Sequence, residues 1–286
     1  MRILAAAVGL LLAAVLAPLV ISGMWTASKV EHTEAYVATV APLASDPALR
    51  QQFGEALGTA AAEQLAERLP VGMPSTVGDL VRSAAVAVVN QPDFPAYWRH
   101  ANRQVHRQFL DIMAGHGDPS GYVYVDATSL LHEIFGKLQE QGLPVQTLVD
   151  VELQIPVARD ARLAQQRTRY HLVTGLAAYG PWLWALVVLL SVAVAPGWRG
   201  RLRAVALAAL GVAVGAVLVM VLRTPLTSYA AAHAGVGDTD LVRLILRVVL
   251  DSLGPYARGF AVAALPVAVA ALLVSLVPGR RRDDAR

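Results

Sequence analysis

The sequence predicts an α-helical polytopic membrane protein with four transmembrane helices and a mainly α-helical extracytoplasmic domain that contains a small two-stranded β element. Three observations lead there. Four runs, Ile3–Ile21, Leu176–Ala195, Val205–Leu222 and Tyr256–Val277, are apolar all round with charge-free interiors. Each has the roughly 20 residues that cross a hydrocarbon core of about 30 Å as a helix. The arginine clusters beside these runs, Arg199–Arg203 and Arg280–Arg282, and Arg2 fall at alternate ends of the runs. The long stretch between the first two runs carries amphipathic periods of its own. Hydrophobic residues make up 56% of the 286, above the share of a soluble domain, and the excess sits in the four runs.

The first run reads as an anchor over residues 1–23. Its competitor is a signal peptide with Arg2 as the basic end, but the apolar run is longer than such a core and "LAPLVISGMW" is a poor cleavage site. Spans at 176–195, 205–222 and 256–277 complete the set. Arg199, Arg201 and Arg203 fill the loop 196–204, and Arg280, Arg281 and Arg282 the tail 278–286. Together with Arg2 they belong on one side, and the positive-inside rule makes it cytoplasmic for both termini of a plasma-membrane protein. Residues 24–175 then lie outside. They hold twelve Lys/Arg against sixteen Asp/Glu, so the overall charge of +3 comes from the membrane-proximal remainder. A pI near 9.4 therefore reflects anchors, not a nucleic-acid partner. With no cysteine, the outer domain has neither disulfides nor thiolate ligands and must rest on a hydrophobic core.

Trp25 follows the first span as an interfacial aromatic. "SDPALRQQFGEALGTAAAEQLAERL" reads as a helix, with Ser45 or Asp46 as its cap, Pro47 in the first turn and Leu49, Phe53, Leu57, Ala60 and Ala61 on one side. After the break "PVGMPS", a second helix starts at Thr76 with Asp79 as a possible capping-box partner. It runs through Leu80, Val81, Ala84 and Val88.

The third helix lies in "PDFPAYWRHANRQVHRQFLDIMAGHG". At 100° per residue, Phe94, Trp98, Ala101, Phe109 and Ile112 fall within about 40° of Val105, which makes a buried stripe. Arg103 and Arg107 lie opposite. Asn102 and His106 stand on the border, one turn apart. His100 and His106 are about 120° apart and cannot share one ion on an unbroken helix, and "LHEIFG" is not a zinc-binding HExxH, so no metal or other cofactor is expected. Trp98, Asn102 and His106 form the candidate ligand or partner surface, a shelf where a buried aromatic meets polar groups. The plainer reading is that Asn102 and His106 bond to neighbouring backbone and fix helix packing.

"GYVYVD" suggests a short strand at Tyr122–Val125, and Asp126 can cap the helix "ATSLLHEIFGKLQEQ", ended by Gly142. Leu130, Leu131, Ile134 and Leu138 are its apolar positions. "LVDVELQIPV" alternates, with Val149, Val151, Leu153 and Ile155 on one side. It can pair with the first strand, in a direction the pattern leaves open. "ARDARLAQQRTRYHLVTG" reads as a polar helix entering the second span, with Arg167, Arg169, Tyr170 and His171 near headgroups or under the domain. Tyr179, Trp182 and Trp184 form an aromatic belt, and Gly211 and Gly215 a G-x-x-x-G pair. In the second external segment, 223–255, "TDLVRLILRVVLDSLG" sets Arg243 and Arg247 against Leu241, Leu244, Ile245, Val248 and Val249. It either lies on the membrane or packs beneath the domain.

No ionisable residue lies in the middle of a span, which argues against a proton-coupled transporter. No phosphate loop, dinucleotide fingerprint or nucleophile elbow appears.

Taken together, "HTEAYVATVAPLASDPAL", "PDFPAYWRHANRQVHRQF", "GYVYVD" and the late membrane helices resemble a family of uncharacterised actinobacterial integral membrane proteins. The resemblance runs along most of the chain. It implies four spans with an external domain after the first and a place in the cell envelope. It transfers no catalytic residue.

The functional expectation is a non-enzymatic envelope protein with a structural, accessory-subunit or sensor role. Its partners would be the lipid bilayer and either another envelope protein or a second copy of itself. The alternative is an external binding module for a lipid or cell-wall fragment, with Trp98, Asn102 and His106 at the mouth of a pocket. A hydrolase would need Asp126 or Glu133 to converge on His106.

Overall fold

The protein is described here from a computed structural model, which covers residues 1–68, 75–117, 121–143, 151–233 and 239–277. The chain runs α1 (Arg2–Lys29), α2 (Thr33–Val40), a 3-10 turn (Ala41–Ser45), α3 (Pro47–Arg68), α4 (Ser75–Val89) and α5 (Phe94–Ala114). Strand β1 (Tyr122–Asp126), α6 (Thr128–Glu140) and β2 (Gln154–Arg159) follow. The chain ends with α7 (Asp160–Gln165), α8 (Arg167–Val194), α9 (Gly197–His233), α10 (Thr239–Asp251) and α11 (Leu253–Leu276). Two compact units result. Met1–Ser28, His171–Leu226 and Leu250–Arg286 make the membrane unit; Lys29–Tyr170 and Thr227–Val249 make the extracytoplasmic domain.

Among the described residues four stretches are long and apolar enough to span a bilayer: Arg2–Lys29, Arg167–Val194, Gly197–Pro225 and Leu244–Leu276. The fold class expected from the sequence is the one observed. Helix α9 does not stop at Leu222 but continues to His233, with Pro225 inside the helix. The basic tail expected over 278–286 lies outside the described residues, as do the break at 69–74 and the first part of the expected second strand, 148–150.

In the membrane unit, small residues set the packing. A Cβ on Gly215 would stand 2.9 Å from Pro18 Cδ and 3.1 Å from Ala17 Cβ, and one on Gly211 3.1 Å from Ala14 Cβ. The G-x-x-x-G pair thus faces α1 within the same chain, as close helix approach in lipid requires. Trp184 Nε1 donates to Ala13 O at 3.0 Å, which joins α8 to α1. Large side chains such as Leu186, Leu189 and Leu273 point outward.

The outer domain is built the opposite way round. Leu49, Leu57, Val81, Val88, Phe94, Trp98, Leu131, Ile134 and Leu138 form its core. Asp46 Oδ1 accepts from the N–H groups of Ala48 (2.8 Å) and Leu49 (3.3 Å), which caps α3, and Asp126 Oδ1 accepts from Thr128 N at 3.0 Å at the start of α6. Asp79 bonds Arg82 at 2.6 Å instead of closing a capping box. Gly115, at φ 99°, ends α5, with Gly115 N and His116 N returning to Ile112 O and Asp111 O.

Strands β1 and β2 pair antiparallel, with a bulge where Val123 faces Ala158 and Tyr124 faces Pro156. Proline has no N–H for the ladder, so the irregularity falls at the residue that cannot donate. Leu244, Ile245, Val248 and Val249 of α10 pack against the same core, so the amphipathic segment spends its apolar face on the domain.

Candidate functional site

Helix α5 is amphipathic over its whole length, and both ends of the segment Lys29–Tyr170 make contacts on it. Its stripe at Phe94, Trp98 and Ala101 is buried, as the helical period requires. Asn102 and His106, on the border of that wheel, are buried too. The reason is tertiary: α2 lies over that flank, and no periodicity in α5 itself can announce a neighbour some 70 positions earlier.

Trp98 Nε1 donates to Val40 O at 2.9 Å, at the last residue of α2, while Phe53 meets the indole edge-on at 5.8 Å between centroids. Asn102 Nδ2 donates to Trp98 O at 2.8 Å, inside its own helix. His106 Nδ1 is 3.2 Å from Thr33 Oγ1, at the first residue of α2, and its ring stacks on Tyr36 at 4.3 Å and 20°. On the exposed side, Arg103 grips Glu34 with Nε and Nη2 at 2.7 and 3.0 Å. These contacts from three side chains of α5 together fix one short helix along its whole length.

The far end of the domain is fastened to the same helix. Arg167, at the start of α8, gives Nε and Nη2 to Ile112 O at 3.1 and 2.7 Å. Tyr170 meets Phe109 edge-on at 5.9 Å, and Phe109 lies 6.0 Å from His106. An aromatic column Tyr36–His106–Phe109–Tyr170 therefore connects the segment that enters the domain with the segment that leaves it. Gln108 adds the sheet: its Nε2 donates to Tyr124 O at 3.0 Å and its Oε1 accepts from Tyr124 N at 3.1 Å. The side-chain amide stands in for a neighbouring strand at the edge of β1.

The electrostatics follow from burial. His106 is pushed below its ordinary value, first by desolvation and against a smaller opposing effect of the Val30 backbone. Its Nε2 is buried and, among the described residues, has no partner at hydrogen-bond geometry. Tyr36 is pushed up to about 12 by desolvation of its hydroxyl. Glu34 is held below the usual carboxylate range, chiefly by the hydrogen bond from Arg103.

The three sequence candidates thus come together on one helix but in its interior, and each has an internal partner. The carboxylates needed for hydrolysis are elsewhere. Asp126 accepts from Thr128 N and Glu133 is influenced by Asp93 and Lys137, and no hydrogen bond joins either one to His106. Among the described residues, no three of His, Asp and Glu are grouped as metal ligands. Sequence reasoning missed Thr33, Tyr36 and Val40, although their i, i+3, i+7 spacing in "HTEAYVATV" marks one helical face.

Besides this seam, the membrane unit contains an apolar cavity of about 470 Å³ lined from all four spanning helices, among them Val20, Trp184, Val212 and Phe260. Compared with known proteins, the chain matches no family model, no curated protein and no solved structure, so its site is read from its own geometry.

Proposed function

We propose that this is a non-enzymatic structural or accessory protein of the cell envelope, acting through protein contacts of its extracytoplasmic domain. The observation that supports this reading is the convergence on α5. Of the residues that looked chemically richest, Trp98 and His106 are committed to holding the domain's entry segment and Asn102 to Trp98 O of its own helix, while Arg167 and Tyr170 hold the exit on α5. A domain fastened in this way presents a rigid surface and leaves these groups no room for substrate. Both termini face the cytoplasm in this reading, on the strength of the Arg-rich segments beside the spans. Its likeness to the actinobacterial four-span family belongs to the same proposal.

The test is isolation of the full-length protein in mild detergent, with its mass and composition read by native mass spectrometry. A variant carrying Arg99→Glu and His100→Glu alters the exposed face of α5 at positions that make none of the seam contacts. A stoichiometric protein partner or second copy, lost in that variant, is the expected result. A solitary protein carrying a defined glycan would establish the binding-module alternative instead. Hydrolytic turnover abolished by His106→Gln in a folded protein would overturn the non-enzymatic reading. For orientation, single cysteines at Thr59 and Pro196 of this cysteine-free chain should label from outside and only after lysis, respectively.

A further inference from the structure

The first turns of α9 carry Arg199, Arg201 and Arg203, all exposed, beside an exposed Trp198. Arg199 Nη2 donates to Val277 O at 3.2 Å, just past the end of α11, where the helix gathers partial negative charge. That contact establishes which end of α11 stands beside the start of α9.

Arg203 has a different setting. It stands at one end of a cavity of about 410 Å³ between α9 and α11. The buried Ala206 and Ala268 make the floor, and their small side chains are what open it. Leu207 and Leu210 on α9, with Leu265, Val269 and Leu272 on α11, make walls of hydrocarbon.

Depth decides what such a groove accepts. Arg203 lies about 7 Å further along the helix axis than Trp198. An exposed tryptophan marks the headgroup level. Arg203 therefore reaches the boundary between headgroups and hydrocarbon, where a guanidinium needs an anion or must snorkel back to water. Among the described residues no carboxylate pairs with it. Asp251, the one carboxylate among the described residues of the membrane unit, stands 3.8 Å from Arg223, about 30 Å along α9 from Arg203.

We propose that this groove is a site for one anionic phospholipid, its phosphate on Arg203 and one acyl chain along the cavity. An apolar trough with Arg203 at its mouth fits an amphiphile with an anionic head. Its volume lies in the range of specific small-molecule sites. Basic pockets between spanning helices are how membrane proteins select such lipids.

The test titrates the full-length protein in a non-ionic detergent with dioleoyl phosphatidylglycerol or dioleoyl phosphatidylcholine and counts adducts by native mass spectrometry. One phosphatidylglycerol should bind about fivefold better than phosphatidylcholine, the gain that one arginine near the surface gives. Arg203→Gln should bring that ratio close to one. Arg201→Gln removes the same charge away from the groove and should leave the ratio unchanged. Leu207→Trp, on an exposed wall, should block the adduct without disturbing the fold. Equal binding of the two lipids by the wild type would overturn the site. So would equal losses in Arg201→Gln and Arg203→Gln, which would mean a diffuse basic surface. A dimer dissolved by Leu207→Trp would place a second copy in the groove and overturn it as well.

Discussion

The two units bury opposite kinds of residue. In the outer domain the core is led by large side chains, Leu49, Leu57, Phe94, Leu131, Ile134 and Leu138, with alanines such as Ala61 and Ala85 between them. In the membrane unit the buried side chains are mostly small, Ala13, Ala17, Ala204, Ala216 and Ala257 beside a few large ones such as Ile21 and Leu253, and most leucines are turned out. The difference is one of solvent. Water drives large apolar groups inward at about 25 cal/mol per Å² of surface removed. Lipid is as apolar as leucine and offers no such force, so spanning helices gain by approaching closely, and close approach needs small side chains.

Truncation of a leucine should break this symmetry most clearly. Leu131→Ala, in the outer core, is expected to destabilise that domain by about 2–5 kcal/mol. Leu186→Ala, facing lipid, should stay within about 0.5 kcal/mol. Chemical unfolding of the full-length protein in detergent, followed by near-ultraviolet circular dichroism, compares the two. Similar losses at both positions would mean that the units do not differ in the way described.

Enlargement of a small residue should be the mirror image. Gly215→Leu must push Pro18 and α1 away, at about 1–3 kcal/mol, while Gly136→Ala in α6, whose added Cβ would meet nothing within 4 Å, should be stabilising or neutral. Thermal denaturation midpoints of the two variants read the contrast.

The polar clips of the seam come next. Trp98→Phe keeps the ring but leaves Val40 O without its donor in the interior, an expected loss of about 1–3 kcal/mol from the outer domain. Only the outer domain's transition should move.

Proton linkage sharpens the comparison further, because His106 titrates within the seam. Its pKa in the folded domain is lowered, so between that value and the ordinary value near 6.5 the unfolded chain binds the extra proton. The contribution of His106 to stability is therefore complete above about pH 6.5 and is lost as the pH falls below it. Tyr36 acts at the other end. Its neutral form is favoured up to about 12, so its contribution is present below the ordinary value near 10 and lost as pH rises from there. Unfolding midpoints across this range should show both limbs, and His106→Phe should flatten the acid one. The smallest effect is expected from Glu34→Gln. That carboxylate is exposed, its pair with Arg103 is screened by salt, and the midpoint at physiological ionic strength should not move measurably.

Much of this architecture was legible in the residues themselves. The spans follow from the length of apolar runs, and the cap of α3 from Asp46 before Pro47. The end of α5 follows from Gly115, which takes the left-handed conformation at no steric cost. Each of these depends on atoms within a turn or two of helix. The candidate site was legible only in part: the wheel of α5 marked Trp98 as buried and set Asn102 and His106 at the border.

What the sequence determined alone, then, is what local forces determine: the transfer of apolar runs into lipid, the helical period, the capping of orphan N–H groups. Tertiary structure decided the rest. It buried His106 by laying α2 across it, made the strand pair antiparallel, and turned Gly211 and Gly215 inward onto α1. It also brought Thr33 and Tyr170 to one helix. Those outcomes turn on partners far apart in the chain, and no periodicity within a segment encodes the identity of the surface it will meet.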